Sequence, residues 1–145
     1  MCGIAGLIHR GKSSNVGEEL QHMLQALKHR GPDSTGYALY ADNDGQNFIL
    51  RFKVGENVGE GSTSVNEDES VYNERKKAVD KKLSELGALV VKEEKLTPYS
   101  YRYEIKFDKD LMEFSKAIES IQSVEILSIG KSLELIKDLG DATVV

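Results

Sequence analysis

Residues 1–8 read Met1-Cys2-Gly3-Ile4-Ala5-Gly6-Leu7-Ile8, an apolar run with two glycines at the extreme N-terminus. Such a run predicts a buried strand, and a strand that opens the chain ties down an end that would otherwise fray. The single cysteine of the sequence lies inside it, directly behind the initiator methionine. Removal of Met1 leaves Cys2 with a free α-amine, so that thiol and amine share one residue. An N-terminal amine titrates at about 7.7–8.0 and a free thiol at about 8.5. Near neutral pH the amine is partly unprotonated and can take the thiol proton, directly or through a water. The thiolate is the reactive form of cysteine, and an N-terminal amine is a known activator of a neighbouring nucleophile. Gly3 keeps the space beside the thiol free of a side chain. Retention of Met1 would move the amine away from Cys2 and leave the thiol without this base. A lone cysteine is also often just a small buried apolar residue, and the rest of the sequence decides between the two readings.

A second cluster, His29-Arg30-Gly31-Pro32-Asp33-Ser34-Thr35-Gly36-Tyr37, lies between a predicted helix and a predicted strand. The helix is marked by an apolar face of Leu20, Met23, Leu24 and Leu27, read as core. Asn15 is placed to cap it, with Glu18 three residues on. Gly31-Pro32 is turn chemistry. Arg30 has a structural use at a helix C-terminus, and Asp33 and Ser34 have one in closing a turn. By itself this loop is as readily structural as functional.

Together, MCGIAGLI at 1–8 and HRGPDSTGYALY at 29–40 resemble the class II glutamine amidotransferases of the N-terminal-nucleophile hydrolase superfamily. The resemblance covers about the first 40 to 50 residues. It implies a fold of the α+β class, the N-terminal part of an αββα sandwich. It also implies that Cys2 attacks the side-chain amide of glutamine, forms a thioester and releases ammonia, with its own α-amine as the base. Arg30 would hold the N-terminal residue and its surroundings, while Gly31, Asp33 and Ser34 shape the loop beside the thiol and Gly3 lies next to it. The HRGPDS form is similar to asparagine synthetases and to the glutaminase part of glutamate synthase-like proteins, and DSTGYALY with its long following stretch leans toward the latter. The implied partner is a synthase domain or subunit that receives ammonia. No cofactor and no metal are implied.

Later motifs of that family do not occur in these residues: the His-Thr-Arg strand whose arginine binds the substrate carboxylate, the Asn-Gly pair for the oxyanion, and an acid for the substrate amine. Losing one oxyanion donor typically costs about 10²–10³ in rate. The chain is therefore expected to be an N-terminal piece of a longer protein and idle as a glutaminase alone. Two other readings stand beside this one. A non-catalytic, regulatory amidotransferase-like binding domain needs no further motif. Gly6 to Ser13 also satisfies the phosphate-loop pattern GxxxxGK[ST] with Lys12, which would make the chain a nucleotide binder.

The remaining sequence bounds these readings. The 145 residues carry a net charge of −5, which argues against nucleic acid or an anionic membrane as partner. One cysteine allows no internal disulfide and suits a reducing, cytoplasmic setting. His9, His22 and His29 have no ligand spacing with acids or with Cys2. Tyr37–Ala41 and Gln46–Lys53 flank Asp42-Asn43-Asp44-Gly45, a hairpin signal, and residues 54–66 read as a loop. Residues 1–66 are thus taken as the N-terminal part of the amidotransferase domain and 67–145 as an α+β insertion lobe within it. In the lobe, a charged helix spans Glu69–Leu86 and stops at Gly87. Strands follow at Ala88–Lys95 and Tyr99–Phe107, the second with strict aromatic alternation. A helix from Asp108 or Asp110, a strand at Val124–Ile129 and a last helix near Ser132–Leu139 complete the expectation.

Overall fold

Apolar alternation and helix caps place most elements where the sequence puts them. The computed structural model describes residues 3–8, 10–11, 15–30, 34–40, 45–55 and 68–143. In chain order these form α1 (Val16–Ala26), a 3-10 turn (Lys28–Arg30), β1 (Ser34–Tyr40), β2 (Phe48–Lys53), α2 (Glu69–Leu86), β3 (Leu89–Lys95), β4 (Ser100–Lys106), α3 (Leu111–Glu119), β5 (Glu125–Gly130) and β6 (Leu133–Leu139). The chain is α+β, with a four-stranded antiparallel sheet ordered β3-β4-β2-β5 and a two-stranded sheet of β1 and β6. It divides into two compact units, residues 1–37 with 137–145 and residues 38–136.

Local chemistry sets the helix limits. Asn15 accepts from the Glu18 amide at the start of α1, Asp68 from Ser70 at α2 and Asp110 from Glu113 at α3, each satisfying an amide with no partner inside the helix. Gly87 ends α2 in the left-handed region at φ 84°, where a Cβ is disfavoured.

The larger unit is a sheet with two helices on one face. Leu50 and Phe52 of β2, with Tyr101, Tyr103 and Ile105 of β4, meet Tyr72, Val79 and Leu83 of α2 and Phe114 and Ile118 of α3 in one buried cluster. Phe52 stacks on its cross-strand partner Tyr101 at 5.4 Å and meets Tyr103 edge-on at 5.1 Å. Such pairs add to area burial. The charged helix α2 is largely solvated but makes several inward contacts, and Arg75 Nη1 donates to the Val54 carbonyl at 2.9 Å. The Tyr103 hydroxyl donates to Asp80 at 2.8 Å, and Lys76 bridges Asp80 and Glu93.

The opposite face of this sheet is ionic. Arg51 and Arg102 are direct partners in the β2–β4 register, an arrangement that is repulsive when uncompensated. Glu134 compensates it. Its carboxylate accepts from Arg51 Nε at 2.6 Å, and from Arg102 Nε at 2.9 Å and Nη2 at 2.8 Å. The second guanidinium therefore binds in bidentate fashion. Arg102 also reaches Glu94 at 2.9 Å. The Glu134 side chain is only 14% exposed.

Four sequence expectations are corrected. Gly3–Ile8 has no ladder partner among the described residues and is not a strand; Ile4 and Ile8 are 94% and 91% exposed. An apolar run becomes a strand only where another strand takes its amides. β1 and β2 do not pair with each other, because β2 is buried on both faces and lies between β4 and β5. The last element is strand β6 instead of a helix, since pairing with β1 overrides a short pattern that fits either period. The face of α1 is half-buried at Leu20, Leu24 and Leu27 and exposed at Met23, so it is not core. Asp42-Asn43-Asp44 and residues 56–66 of the expected loop lie outside the described residues.

Leu83→Ala should lower stability by about 2–4 kcal/mol in denaturant unfolding, because it opens a cavity at a fully packed site. For Glu134, the Arg102 guanidinium first, then Arg51, holds the carboxyl below its ordinary value near 4.5. Its stabilisation is therefore complete above that value and is lost as pH falls through the lower folded one. Glu134→Gln should cost about 2–3 kcal/mol near neutral pH by removing the charge shared by the two arginines, leaving Arg102 with Glu94 alone. It should also flatten the acid limb of stability against pH. An unchanged acid limb would show that Glu134 does not carry it.

Candidate functional site

The smaller unit holds a cleft of about 80 Å³ lined by Gly3, Leu24, Leu27, Lys28, Ser34, Thr35, Gly36, Asp141 and Ala142. Each wall has a local cause. Gly3 lies against the end of α1: a Cβ there would come within 3.2 Å of Leu27 Cβ and 3.7 Å of Arg30 Cβ. The missing side chain is what lets the N-terminal segment approach the 3-10 turn so closely. Ser34, Thr35 and Gly36 are the first residues of β1. Asp141 and Ala142 come from distant sequence and are held by side-chain donors. The Thr35 hydroxyl donates to the Gly140 carbonyl at 2.9 Å, the Tyr37 hydroxyl to the Ala142 carbonyl at 2.8 Å, and Gln21 Nε2 to the same carbonyl at 3.1 Å.

The cleft is polar and carries both signs of charge. The Thr143 hydroxyl and the Thr143 amide both donate to Asp141 Oδ1, the amide at 2.9 Å. The Thr143 hydroxyl, then its amide, with Gln25 and the Lys28 charge adding to them, hold the Asp141 carboxyl below its ordinary value of 3.8. It is therefore ionised at working pH, beside the Lys28 ammonium. Burial, and then the Asp141 charge, push the Tyr37 phenol above its ordinary value, so its hydroxyl stays a donor.

Of the residues singled out in the sequence, Gly3 and Ser34 line this one cleft, and Arg30 stands against Gly3. Cys2, Gly31 and Asp33 lie outside the described residues. Sequence reasoning passed over Lys28, Thr35, Asp141 and Ala142. Lys28 and Thr35 flank the loop and carried a signal by proximity. Asp141 and Ala142 carried none, being about a hundred residues away from β1 in sequence. Much of the phosphate-loop stretch, including His9, Lys12 and Ser13, is likewise outside the described residues. α1 starts only at Val16 and places Glu18 and Glu19 in its first turn, which repels an anion at that helix end. Among the described residues no group of His, Cys, Asp and Glu is arranged to hold a metal ion, and no helix is long and apolar enough to cross a membrane.

Residues 1–50 match the family model of the glutamine amidotransferase domain. Across 148 aligned residues the chain is 32% identical to a Methanothermobacter thermautotrophicus protein named "Putative glutamine amidotransferase", covering 97% of this chain and 44% of that relative. Over 40 residues it is 50% identical to a Methanocaldococcus jannaschii protein named "Putative asparagine synthetase (glutamine-hydrolyzing) 2", covering 28% of this chain and 8% of that relative. The chain thus spans less than half the length of the curated relatives it matches. No solved structure matches it. The span matched by the family model contains the Gly3, Lys28 and Ser34–Gly36 parts of the cleft lining.

The depressed titration of Asp141 gives a direct check on the cleft. A carbon-13 carboxyl titration should find it below 3.8, and Thr143→Val should move it back up toward that value by removing the hydroxyl donor. A titration curve that ignores Thr143→Val would mean that Thr143 does not hold this carboxylate.

Proposed function

We propose that this chain is the N-terminal glutaminase part of a class II glutamine amidotransferase of the glutamate synthase-like branch. The observation that carries the reading is that the family-matched residues converge: Gly3, next to Cys2, shares one cleft with Ser34, and Arg30 abuts Gly3. The fold would be part of an N-terminal-nucleophile αββα sandwich.

In this reading Met1 is removed and the Cys2 α-amine takes the thiol proton. The sulfur then attacks the side-chain carbonyl carbon of glutamine. The tetrahedral intermediate collapses with cleavage of the C–N bond, and the ammonium carries the proton to the departing nitrogen, so that ammonia leaves. A water, deprotonated by the same amine, attacks the thioester, releasing glutamate and restoring the thiol. Arg30 and the loop of Gly31, Asp33 and Ser34 support the N-terminal residue. A synthase domain or subunit takes up the ammonia. The short match to a protein named as a glutamine-hydrolysing asparagine synthetase supports an amide-transfer setting.

The full-length protein should release ammonia and glutamate from glutamine, and Cys2→Ala should lower that rate at least about a thousandfold, as loss of a nucleophile does. A form with Met1 retained should be equally inactive. Full glutaminase activity in either form would overturn the mechanism.

A further inference from the structure

Two side chains behind the cleft act on a single carbonyl. The Ala142 oxygen accepts from Tyr37 of β1 and from Gln21 of α1. A carbonyl has two lone pairs, and two donors from different elements fix its direction as well as its place. The Thr35 hydroxyl holds the Gly140 carbonyl in the same way. Between these two anchored carbonyls stands Asp141, which lines the cleft together with Gly3, Lys28 and Ser34. Gly140 has φ 116°, a conformation that lets the backbone turn out of β6 at this point and that other residues rarely adopt. Neither Tyr37 nor Gln21 lines the cleft. Whatever they contribute to it passes through the wall they hold.

We propose that Tyr37, with Gln21, is a positioning residue: by holding the Ala142 carbonyl it fixes the Asp141–Ala142 stretch that lines the cleft with Gly3 and Ser34, and so sets the fit of the glutamine substrate. This role rests on the glutaminase reading given above. It predicts an effect on substrate capture and not on the chemical step. The phenol hydroxyl is the working atom, because the ring of a phenylalanine occupies the same space without donating.

The test compares steady-state glutaminase kinetics and melting temperature of the full-length protein with those of Tyr37→Phe and Gln21→Met. Loss of one such bond corresponds to about a three- to tenfold change. Each variant is expected to raise KM for glutamine by that factor while kcat stays within about twofold, the pattern of lost uniform binding. A purely structural role would lower the melting temperature and leave KM at its wild-type value. Should Tyr37→Phe fail to fold, Gln21→Met carries the test on the same oxygen. An active wild type whose KM neither substitution moves overturns the positioning role alone. A full-length wild type that releases no ammonia from glutamine overturns the glutaminase reading, and this role with it.

Discussion

Two arginines stand opposite each other at the centre of the four-stranded sheet, and the Glu134 carboxylate makes that tolerable. The pairing of β2 with β4 is required by the other face, where Leu50 and Phe52 must lie beside Tyr101 and Tyr103 to close the core under α2 and α3. A strand has period two, so the register that places the aromatics inward also brings Arg51 to Arg102 outward. A slip of one residue would relieve the charges and expose the core. Glu134 removes the conflict without a slip, and its three hydrogen bonds to the two guanidinium groups hold the start of β6 over the sheet.

The cleft of the smaller unit follows a different logic. Its near walls are local: Gly3 against Leu27 and Arg30, and the opening residues of β1. Asp141 and Ala142 are brought to it from distant sequence by side-chain donors on backbone carbonyls. Such bonds order a short segment that lacks ladder pairing of its own, and they satisfy carbonyls that would otherwise lose solvent without gaining a partner. The family match stops at residue 50, so Asp141 and Ala142 are the part of the cleft lining that lies outside it.

Much of the larger unit was legible in the sequence for physical reasons that are local. Asp68 and Gly87 bracket α2 because an unpaired amide and a left-handed turn each demand a particular side chain. Strict alternation from Tyr99 to Phe107 admits only a strand with one buried face, and Tyr101, Tyr103 and Ile105 are buried as that requires. The stretch at 133–139 was misread because Leu133-Glu134-Leu135-Ile136-Lys137-Asp138-Leu139 supports a helical and a strand period about equally. The N-terminal run was misread because hydrophobicity predicts burial only where a partner exists, and Ile4 and Ile8 have none among the described residues.

By itself, then, the sequence determined the helix caps and most of the strand and helix periods of the larger unit. These are properties of neighbours a few residues apart, where backbone sterics and unpaired amides act directly. The tertiary structure alone decided that Arg51 faces Arg102, that Glu134 sits between them, that β6 is a strand and that Asp141 enters the cleft. Each of these depends on which distant segment supplies a hydrogen-bond or charge partner. That choice is made by the packing of the whole unit and leaves no mark in the local pattern.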